Sequence, residues 1–277
     1  MTITIRASYL SQYPDCPRRV AARVFADDIR KAGYHLRETV STVAAAIGSA
    51  VHKGAAVILT DKALTGRMPP ASLGTDAARD ELRMLVAEGV IYDDMSRRRE
   101  EAEVAALRMT STYRDELAPW IEPILVEERL EARAGTNLVL SGQSDVIARE
   151  PGAVRDLKTG KKLGYHRPQI GAYSLLARAR EIDIKRAIID FIQRVPAKHE
   201  QPAPVSIEHD VDEVETAAMN VLRSMDQDRR IFVHGDYRRQ LKPGDPWAFL
   251  ANPTSKLCSA EFCRAWGTDF CREHKRS

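Results

Sequence analysis

The chain has 277 residues, of which 44% are hydrophobic and 29% charged, and its formal net charge is +3 at neutral pH. This is the composition of an ordinary globular protein, long enough for one large domain or two small ones. No apolar run approaches the ~20 residues of a membrane span, and the N-terminal residues lack the charged and apolar regions of a signal peptide. We therefore expect a cytoplasmic protein with no membrane partner, and the mild positive charge permits a nucleic-acid partner without requiring one.

Apolar spacing predicts that the first part of the chain is helical. In the helix predicted over residues 40–64, Gly48 and His52 lie four residues apart on one side. The helix predicted over residues 18–29 begins with arginines, which indicate either a solvated face or phosphate contacts. The predicted helices cover residues 8–13, 18–29, 40–64, 75–88 and 96–117. We treat residues 30–118 as a helical region that precedes an α/β core over residues 119–234.

Short apolar runs separated by turn residues predict strands in the second part of the chain. Strands are predicted over residues 119–131, 138–149, 153–158, 187–195 and 205–209, and helices over residues 168–180 and 211–233. This alternation predicts an α/β fold with a central mixed β-sheet flanked by helices. Residues 235–277 are rich in proline and loop residues, so we expect a C-terminal cap that burial alone would hardly order.

Two carboxylates and a lysine lie on neighbouring strands of this predicted sheet. Asp145 lies on the first strand, a Pro151-Gly152 turn follows, and Asp156 and Lys158 lie on the second strand. Side chains two residues apart on a strand share a face, so the three groups can meet at one point. A Mg²⁺ or Mn²⁺ ion held by two carboxylates can bind a phosphodiester and activate a water. The alternative is a solvated surface hairpin, which a bare Asp-x-Lys pattern would favour by itself.

Two further motifs accompany this hairpin. Gly48 and His52 form a G-x-x-x-H piece upstream, and Gln169 and Tyr173 form a Q-x-x-x-Y piece downstream. The order of the three motifs resembles the PD-(D/E)XK nuclease superfamily, and in particular its RecB-like branch. That branch includes AddB-type, CRISPR-associated and phage-borne members that carry an iron–sulphur cluster. The resemblance implies a restriction-endonuclease-like core with a helical insertion.

The resemblance also implies a function and a set of catalytic residues. We expect a metal-dependent DNA nuclease, an exonuclease by preference, that acts in recombination, repair or phage DNA processing. Asp145, Asp156 and Lys158 would be catalytic, and Lys158 would orient or deprotonate the attacking water. The metal ligands would be His52, Asp145, Asp156 and the backbone carbonyl of Leu157.

Several alternatives stay open at this point. A glutamate often precedes the hairpin in this family, and either Glu127 or Glu128 could fill that place, because alternation along a strand lets only one of them face inward. A trimming nuclease of the CRISPR-adaptation type would use the same residues. A non-catalytic DNA-binding subunit would not need Asp145, Asp156 and Lys158 together. The sequence leaves the cleavage polarity, the strand preference and any protein partners undetermined.

A basic loop follows the hairpin and leads into the helix of residues 168–180. Cationic side chains there predict phosphate contacts whose affinity falls with salt. The resemblance implies that the glutamine lies near the metal-bound phosphate and the tyrosine near the nucleic acid, where it could stack on a base. The residues expected to contact DNA are Lys161, Lys162, Arg167, Gln169 and Tyr173.

The chain has 4 cysteines, one near its start and the others in the C-terminal cap. They are Cys16, Cys258, Cys263 and Cys271. In a reducing compartment they favour metal binding or burial over disulfides. Their positions, with Trp266 between the last two, resemble the iron–sulphur members of the family, which implies one [4Fe-4S] cluster that joins the cap to the N-terminal region. Zinc with His274 replacing one cysteine, four buried thiols, and a disulfide formed after purification stay open as alternatives.

Overall fold

The computed structural model describes residues 2–135, 137–149 and 152–272. The predicted α/β class is confirmed, because helices flank mixed β-sheets. Pro151 of the predicted turn and His274, the alternative zinc ligand, lie outside the described residues. The described part of the chain contains two sheets where the sequence predicted one.

A five-stranded mixed sheet carries the predicted hairpin, in the order β2-β5-β6-β7-β8. Strands β6 and β7 are parallel, and the other neighbours are antiparallel. The helix α7 provides the long connection that a parallel pair needs. The strands are β2 (Pro123–Val126), β5 (Val146–Ala148), β6 (Ala153–Gly160), β7 (Arg186–Gln193) and β8 (Val205–His209), and α7 spans Arg167–Arg178.

The second sheet has three strands in the order β1-β4-β3. The central strand β4 (Leu138–Gln143) pairs in parallel with β1 (Ile3–Arg6) and antiparallel with β3 (Arg129–Gly135). The strand β1 was not predicted. It leads directly into the short helix α1 (Ala7–Leu10), which replaces the longer helix expected over residues 8–13.

Two predicted strands are divided between the two sheets. The stretch 119–131 breaks at Glu127, whose φ of 51° lies in the left-handed region that non-glycine residues seldom adopt. The stretch 138–149 breaks between β4 and β5, where Asp145 is located. The two breaks lie side by side, because the Glu127 N–H donates to the Asp145 carbonyl at 3.1 Å. The corner between the sheets therefore presents two acidic side chains at one place.

The remaining helices match most of the predicted ones within a few residues. The helix predicted over residues 18–29 is divided at Phe25, and the last turn of the helix predicted over residues 96–117 is π-helical. The helices are α2 (Pro17–Val24), α3 (Ala26–Lys31), α4 (Val43–Thr65), α5 (Ala71–Ala87), α6 (Arg99–Thr112) and α8 (Val211–His234), followed by a 3₁₀ turn at Pro246–Ala248.

Helices α4, α5 and α6 share a hydrophobic core with one face of the five-stranded sheet. Ile47, Met109, Leu157 and Ile188 are buried together in that core. The helix α4 is long and apolar enough to cross a membrane, with a mean hydropathy of 1.5 over its most apolar window. The sequence analysis did not predict a membrane-spanning helix there. Because 50% of that window is buried inside the protein, packing accounts for its apolar residues.

Over residues 235–272, the described part of the C-terminal cap, there are no long helices or strands, yet this part contributes large side chains to the other core. Phe249 and Phe270 have no measurable exposure. The Phe249 ring lies 5.8 Å from that of Phe25 and 5.4 Å from that of Phe232, measured between ring centroids. The expectation that burial would hardly order the cap is therefore corrected, since part of the cap is held by aromatic packing.

We predict that Phe249→Ala lowers the free energy of unfolding by about 3–5 kcal/mol, because it leaves a cavity at the centre of this aromatic cluster. Denaturant unfolding followed by circular dichroism measures the change. Tyr237→Ala is the matched aromatic control, because Tyr237 is 98% exposed and its loss should change stability by no more than about 0.5 kcal/mol. Equal destabilisation by both variants would contradict this account of the cap.

Candidate active site

A cavity of about 1000 Å³ lies beside the corner where the two sheets separate. It is lined by residues of α4, of the β5–β6 hairpin and of the first turns of α7. Gly48 allows α4 to approach β6, since a Cβ at this position would lie 3.0 Å from the Thr159 hydroxyl. Of the sequence-predicted residues, those in the lining are Gly48, His52, Glu127, Asp145, Asp156, Lys158, Gln169 and Tyr173.

The Asp145 carboxylate connects three elements of the chain. Its Oδ1 lies 2.6 Å from Nδ1 of His52 on α4. Its Oδ2 accepts a hydrogen bond of 2.5 Å from the backbone N–H of Leu157 on β6. Leu157 thus contacts Asp145 through its backbone amide. The proposal that its carbonyl binds the metal stays a prediction.

Glu127 is the glutamate that faces this cavity, whereas Glu128 is exposed. Donor atoms of His52, Glu127 and Asp145 all lie within 4.8 Å of one another. The side-chain amide of Gln143 donates to Glu127 at 2.5 Å and orients its carboxylate. These residues offer the nitrogen and oxygen donors that suit Mn²⁺ and Mg²⁺.

Burial and mutual repulsion shift the pKa values of the carboxyl groups apart. Burial, together with the nearby Asp145 carboxylate, raises the pKa of Glu127 to about 7. For Asp156, burial and Asp145 raise the pKa to about 6 against the opposing effect of Lys158. Burial would also raise the pKa of Asp145, but His52 and Lys158 outweigh it and hold that pKa below its usual value.

Asp156 and Lys158 point to the same face of β6, as the sequence predicted. The Lys158 Nζ lies 2.6 Å from Oδ2 of Asp156. That oxygen is buried and has no hydrogen bond of good geometry within the described part of the chain. Lys158 retains 17% side-chain exposure and lines the cavity, so its ammonium is available to a group bound there.

This donor set fits a divalent cation. Several carboxyl groups lie close together in a buried place, and two of them have raised pKa values. A cation would relieve their repulsion and favour their charged forms. The buried Oδ2 of Asp156, which is paired with Lys158, is a further oxygen ligand for such an ion in the same lining.

The helix α7 presents Gln169 and Tyr173 to the cavity. The Gln169 amide donates to the Tyr173 hydroxyl at 2.8 Å. The Tyr173 ring lies against Gly142, where a Cβ would be 2.9 Å from the ring. Because Tyr173 is only 6% exposed, it has no free ring face for a base, and the stacking suggested from the sequence is not supported.

The basic loop lies outside the cavity lining. Lys161, Lys162 and Arg167 are exposed, and Arg167 lies 3.7 Å from Glu213 at the start of α8. Contact between these residues and DNA stays a prediction. The sequence analysis also missed some polar residues that do line the cavity, namely Ser8, Gln12, Lys53 and Glu81. Of these four residues, only Lys53 could have been suspected from the sequence, because it directly follows His52.

The cysteines converge on a second, smaller cavity, which is lined by Cys16, Cys258, Cys263 and Cys271. None of them forms a disulfide in the described part of the chain. Burial raises the pKa of the Cys263 thiol to about 11, and the neighbouring Cys271 and Cys16 add to this effect. Among the described residues, no three of the sulphur atoms lie within 4.8 Å of one another. Arg19 and Trp266 complete part of the wall.

Comparison with known proteins follows this geometry. The chain matches the profile of the PD-(D/E)XK nuclease superfamily over residues 5–265. No curated protein matches it. Among solved structures, the crystal structure of SSO0001 is similar, with 14% sequence identity, a TM-score of 0.35, and coverage of 89% of this chain and 81% of that chain.

We predict that Glu127→Gln weakens Mn²⁺ binding by at least about tenfold, because it removes a charged oxygen donor from the cavity. Glu128→Gln is the matched control, since the adjacent glutamate is exposed, and it should bind Mn²⁺ as the parent does. Titration of Mn²⁺ followed by the electron paramagnetic resonance signal of the free ion measures both affinities. A parent-like affinity in Glu127→Gln would exclude this glutamate from the metal site.

Proposed function

The chain is a member of the PD-(D/E)XK nuclease superfamily, and on that basis we propose that it is a DNA exonuclease whose catalytic centre is the cavity beside Asp145. Membership of this superfamily implies a metal-dependent nuclease and a nucleic-acid substrate. The observation that carries the proposal is the convergence of His52, Glu127, Asp145, Asp156 and Lys158 on one cavity.

In this proposal the metal ligands are His52, Glu127, Asp145 and Asp156, with the Leu157 carbonyl as a further ligand. A bound Mg²⁺ or Mn²⁺ would polarise the phosphodiester and lower the pKa of a bound water. The Leu157 N–H and His52 hold the two oxygens of Asp145 in fixed directions. This fixed carboxylate would hold a metal ion in a defined place, and the ion would bind the scissile phosphate.

Lys158 is the proposed general base or orienting group for the attacking water. Its ion pair with Asp156 keeps the ammonium at the edge of the proposed metal site. The same cation can stabilise negative charge as it develops on the phosphate. Gln169 would contact the phosphate, since its neighbour Tyr173 holds the amide in place.

Exonuclease activity is proposed because helices form part of the cavity wall. Ser49 and Lys53 of α4 and Glu81 of α5 belong to the lining. Such a wall favours a strand end over the middle of a long duplex. DNA would approach over residues 161–173, where Lys161 and Lys162 are exposed. The cellular processes that fit are recombination, repair or phage DNA processing, and the trimming of DNA for CRISPR arrays is the alternative.

We also propose that the four cysteines bind one [4Fe-4S] cluster, as in the RecB-like branch. All of them line one cavity. A [4Fe-4S] cluster needs four thiolates, each of which binds a different iron. Zinc is the alternative occupant.

The proposed domain organisation is based on the helices, the strands and the positions of the cysteines. Residues 1–277 form a single nuclease domain, with a helical region over residues 30–118, a catalytic core over residues 119–234 and a cap over residues 235–277. The cap would be joined to Cys16 through the cluster. The proposed location is the cytoplasm, where a [4Fe-4S] cluster and reduced thiols are compatible.

We predict that Lys158→Ala lowers the rate of DNA hydrolysis by about 10²–10⁴-fold, because it removes the group that serves the attacking water. The lysine does not bind the metal, so the Mn²⁺ affinity should change little, whereas Asp156→Asn should weaken both. The rate is measured with end-labelled single- and double-stranded DNA in Mn²⁺, Mg²⁺ or EDTA. Lys185→Ala, an exposed lysine at the other end of the sheet, is the control.

Covalently closed single-stranded circles distinguish an exonuclease from an endonuclease in the same assay. Linear strands should be degraded and circles left intact. Cutting of the circles would disprove the exonuclease proposal and leave the metal-dependent nuclease in place. Cleavage by Lys158→Ala at the parent rate would disprove the role of the lysine.

We predict that Cys263→Ser gives unstable, poorly soluble protein without iron, because the cluster joins the cap to the N-terminal region across most of the chain. Anaerobic purification, the visible absorption spectrum, and iron and sulphide analysis test this in the parent and the variant. About four irons and four sulphides per chain are expected in the parent. A colourless parent with one zinc and no sulphide would disprove the cluster and leave the nuclease site unaffected.

A further inference from the structure

A third cavity, of about 560 Å³, lies on the C-terminal cap. We call it the cap cavity and define it by Arg18, Tyr34, Lys242, Trp247 and Phe270, which line it together with neighbouring residues. It shares no lining residue with the catalytic cavity or with the cysteine cavity. None of the functions described above uses it.

Arg18 is a buried cation in the wall of the cap cavity, with 3% exposure. Its Nε donates to the Phe249 carbonyl at 3.0 Å, while its Nη2 has no hydrogen-bond partner in the part of the chain that the structure describes. A buried guanidinium with an unsatisfied donor is costly, and an anionic ligand would offset that cost. Arg18 therefore brings an unsatisfied, positively charged donor to the wall of the cap cavity.

Two carboxylates, Asp245 and Asp269, also line this cavity. Asp269 lies 3.1 Å from Nη2 of Arg272, and Asp245 accepts a hydrogen bond of 2.9 Å from the Trp247 N–H. Lys242 is exposed at the rim. With Arg272 the lining has three cationic side chains against these two carboxylates, and Arg18 and Lys242 form no ion pair with the residues that the structure describes.

Trp247 supplies a rigid aromatic surface beside these cations. It lies on the 3₁₀ turn Pro246–Ala248, and the next residue, Phe249, is fully buried. The Arg18 guanidinium carbon lies 5.3 Å from the Trp247 ring centroid, which leaves the rest of the ring facing solvent with 58% exposure. An exposed tryptophan held in this way can stack on a planar ligand.

We propose that the cap cavity binds single-stranded DNA, with a base stacked on Trp247 and a phosphate on Arg18 and Lys242. Stacking platforms beside cations are the general means of binding single strands without sequence preference. An acidic peptide would satisfy the cations but would not use the ring. The conclusion that this bound strand is the nuclease substrate rests on the proposed nuclease function.

The chain order places this cavity near the catalytic one. Gln12 lines the catalytic cavity, Cys16 lines the cysteine cavity and Arg18 lines the cap cavity. The six residues from Gln12 to Arg18 span at most about 20 Å. Even at the rise of about 3.4 Å per phosphate that a strand has in duplex DNA, about six nucleotides cover that distance. A strand longer than this can occupy both cavities at once.

The test is DNA binding by anaerobically purified full-length protein in EDTA, where metal-dependent cleavage cannot occur. We expect Trp247→Ala to weaken binding of a fluorescein-labelled 20-mer by about 5- to 150-fold, from the loss of stacking. Lys242→Ala should lower the slope of log affinity against log salt by about one. Trp120→Ala, which removes a tryptophan that is 84% exposed elsewhere, should bind as the parent does.

Substrate length separates this site from the catalytic cavity. In Mn²⁺, Trp247→Ala should raise KM for 20-mers and leave kcat unchanged, and for four-nucleotide substrates neither should change. Parent-like binding of the 20-mer by Trp247→Ala, an unchanged salt slope in Lys242→Ala, or an equal loss for four-nucleotide substrates would overturn the proposal. Displacement of the 20-mer by poly-glutamate as readily as by unlabelled DNA would also overturn it. DNA binding is measured in EDTA, without cleavage. The binding result therefore tests the cap cavity even if the protein shows no nuclease activity.

Discussion

The geometry of the catalytic cavity depends on the two contacts of the Asp145 carboxylate. This carboxylate lies where the chain leaves the three-stranded sheet and enters the five-stranded one. One oxygen lies beside His52 of the helical region, and the other accepts the Leu157 N–H of the neighbouring strand. A single side chain thus fixes the distance between α4 and the hairpin. The left-handed backbone of Glu127 at the adjacent break turns a second carboxylate into the same space.

Concentrating acidic groups in a buried place costs free energy unless a cation accompanies them. The raised pKa values of Glu127 and Asp156 express that cost. His52 and Lys158 offset part of it, which keeps Asp145 in its charged form. The arrangement is therefore poised for a divalent ion, which is the chemistry that membership of this nuclease superfamily implies.

The N-terminal region connects the catalytic cavity, the cysteine cavity and the cap cavity. Gln12, Cys16 and Arg18 follow one another closely, and each lines a different cavity. The cap packs on this region through Phe249 and Phe25, and its cysteines face Cys16 across a shared space.

Local patterns in the sequence determined the class of fold, most of the helices, and the residues at the centre of the site. Period-two alternation places Asp156 and Lys158 on one face whatever surrounds them, and helical spacing does the same for Gln169 and Tyr173. Only the tertiary structure decided between Glu127 and Glu128, because a strand break with a positive φ, and not alternation, sets which one faces inward. It also decided that there are two sheets, that the Tyr173 ring is buried, and that Arg18 and Trp247 meet. Those features depend on contacts between residues far apart in sequence, such as Arg18 with Phe249, and no local pattern encodes a contact across the whole chain.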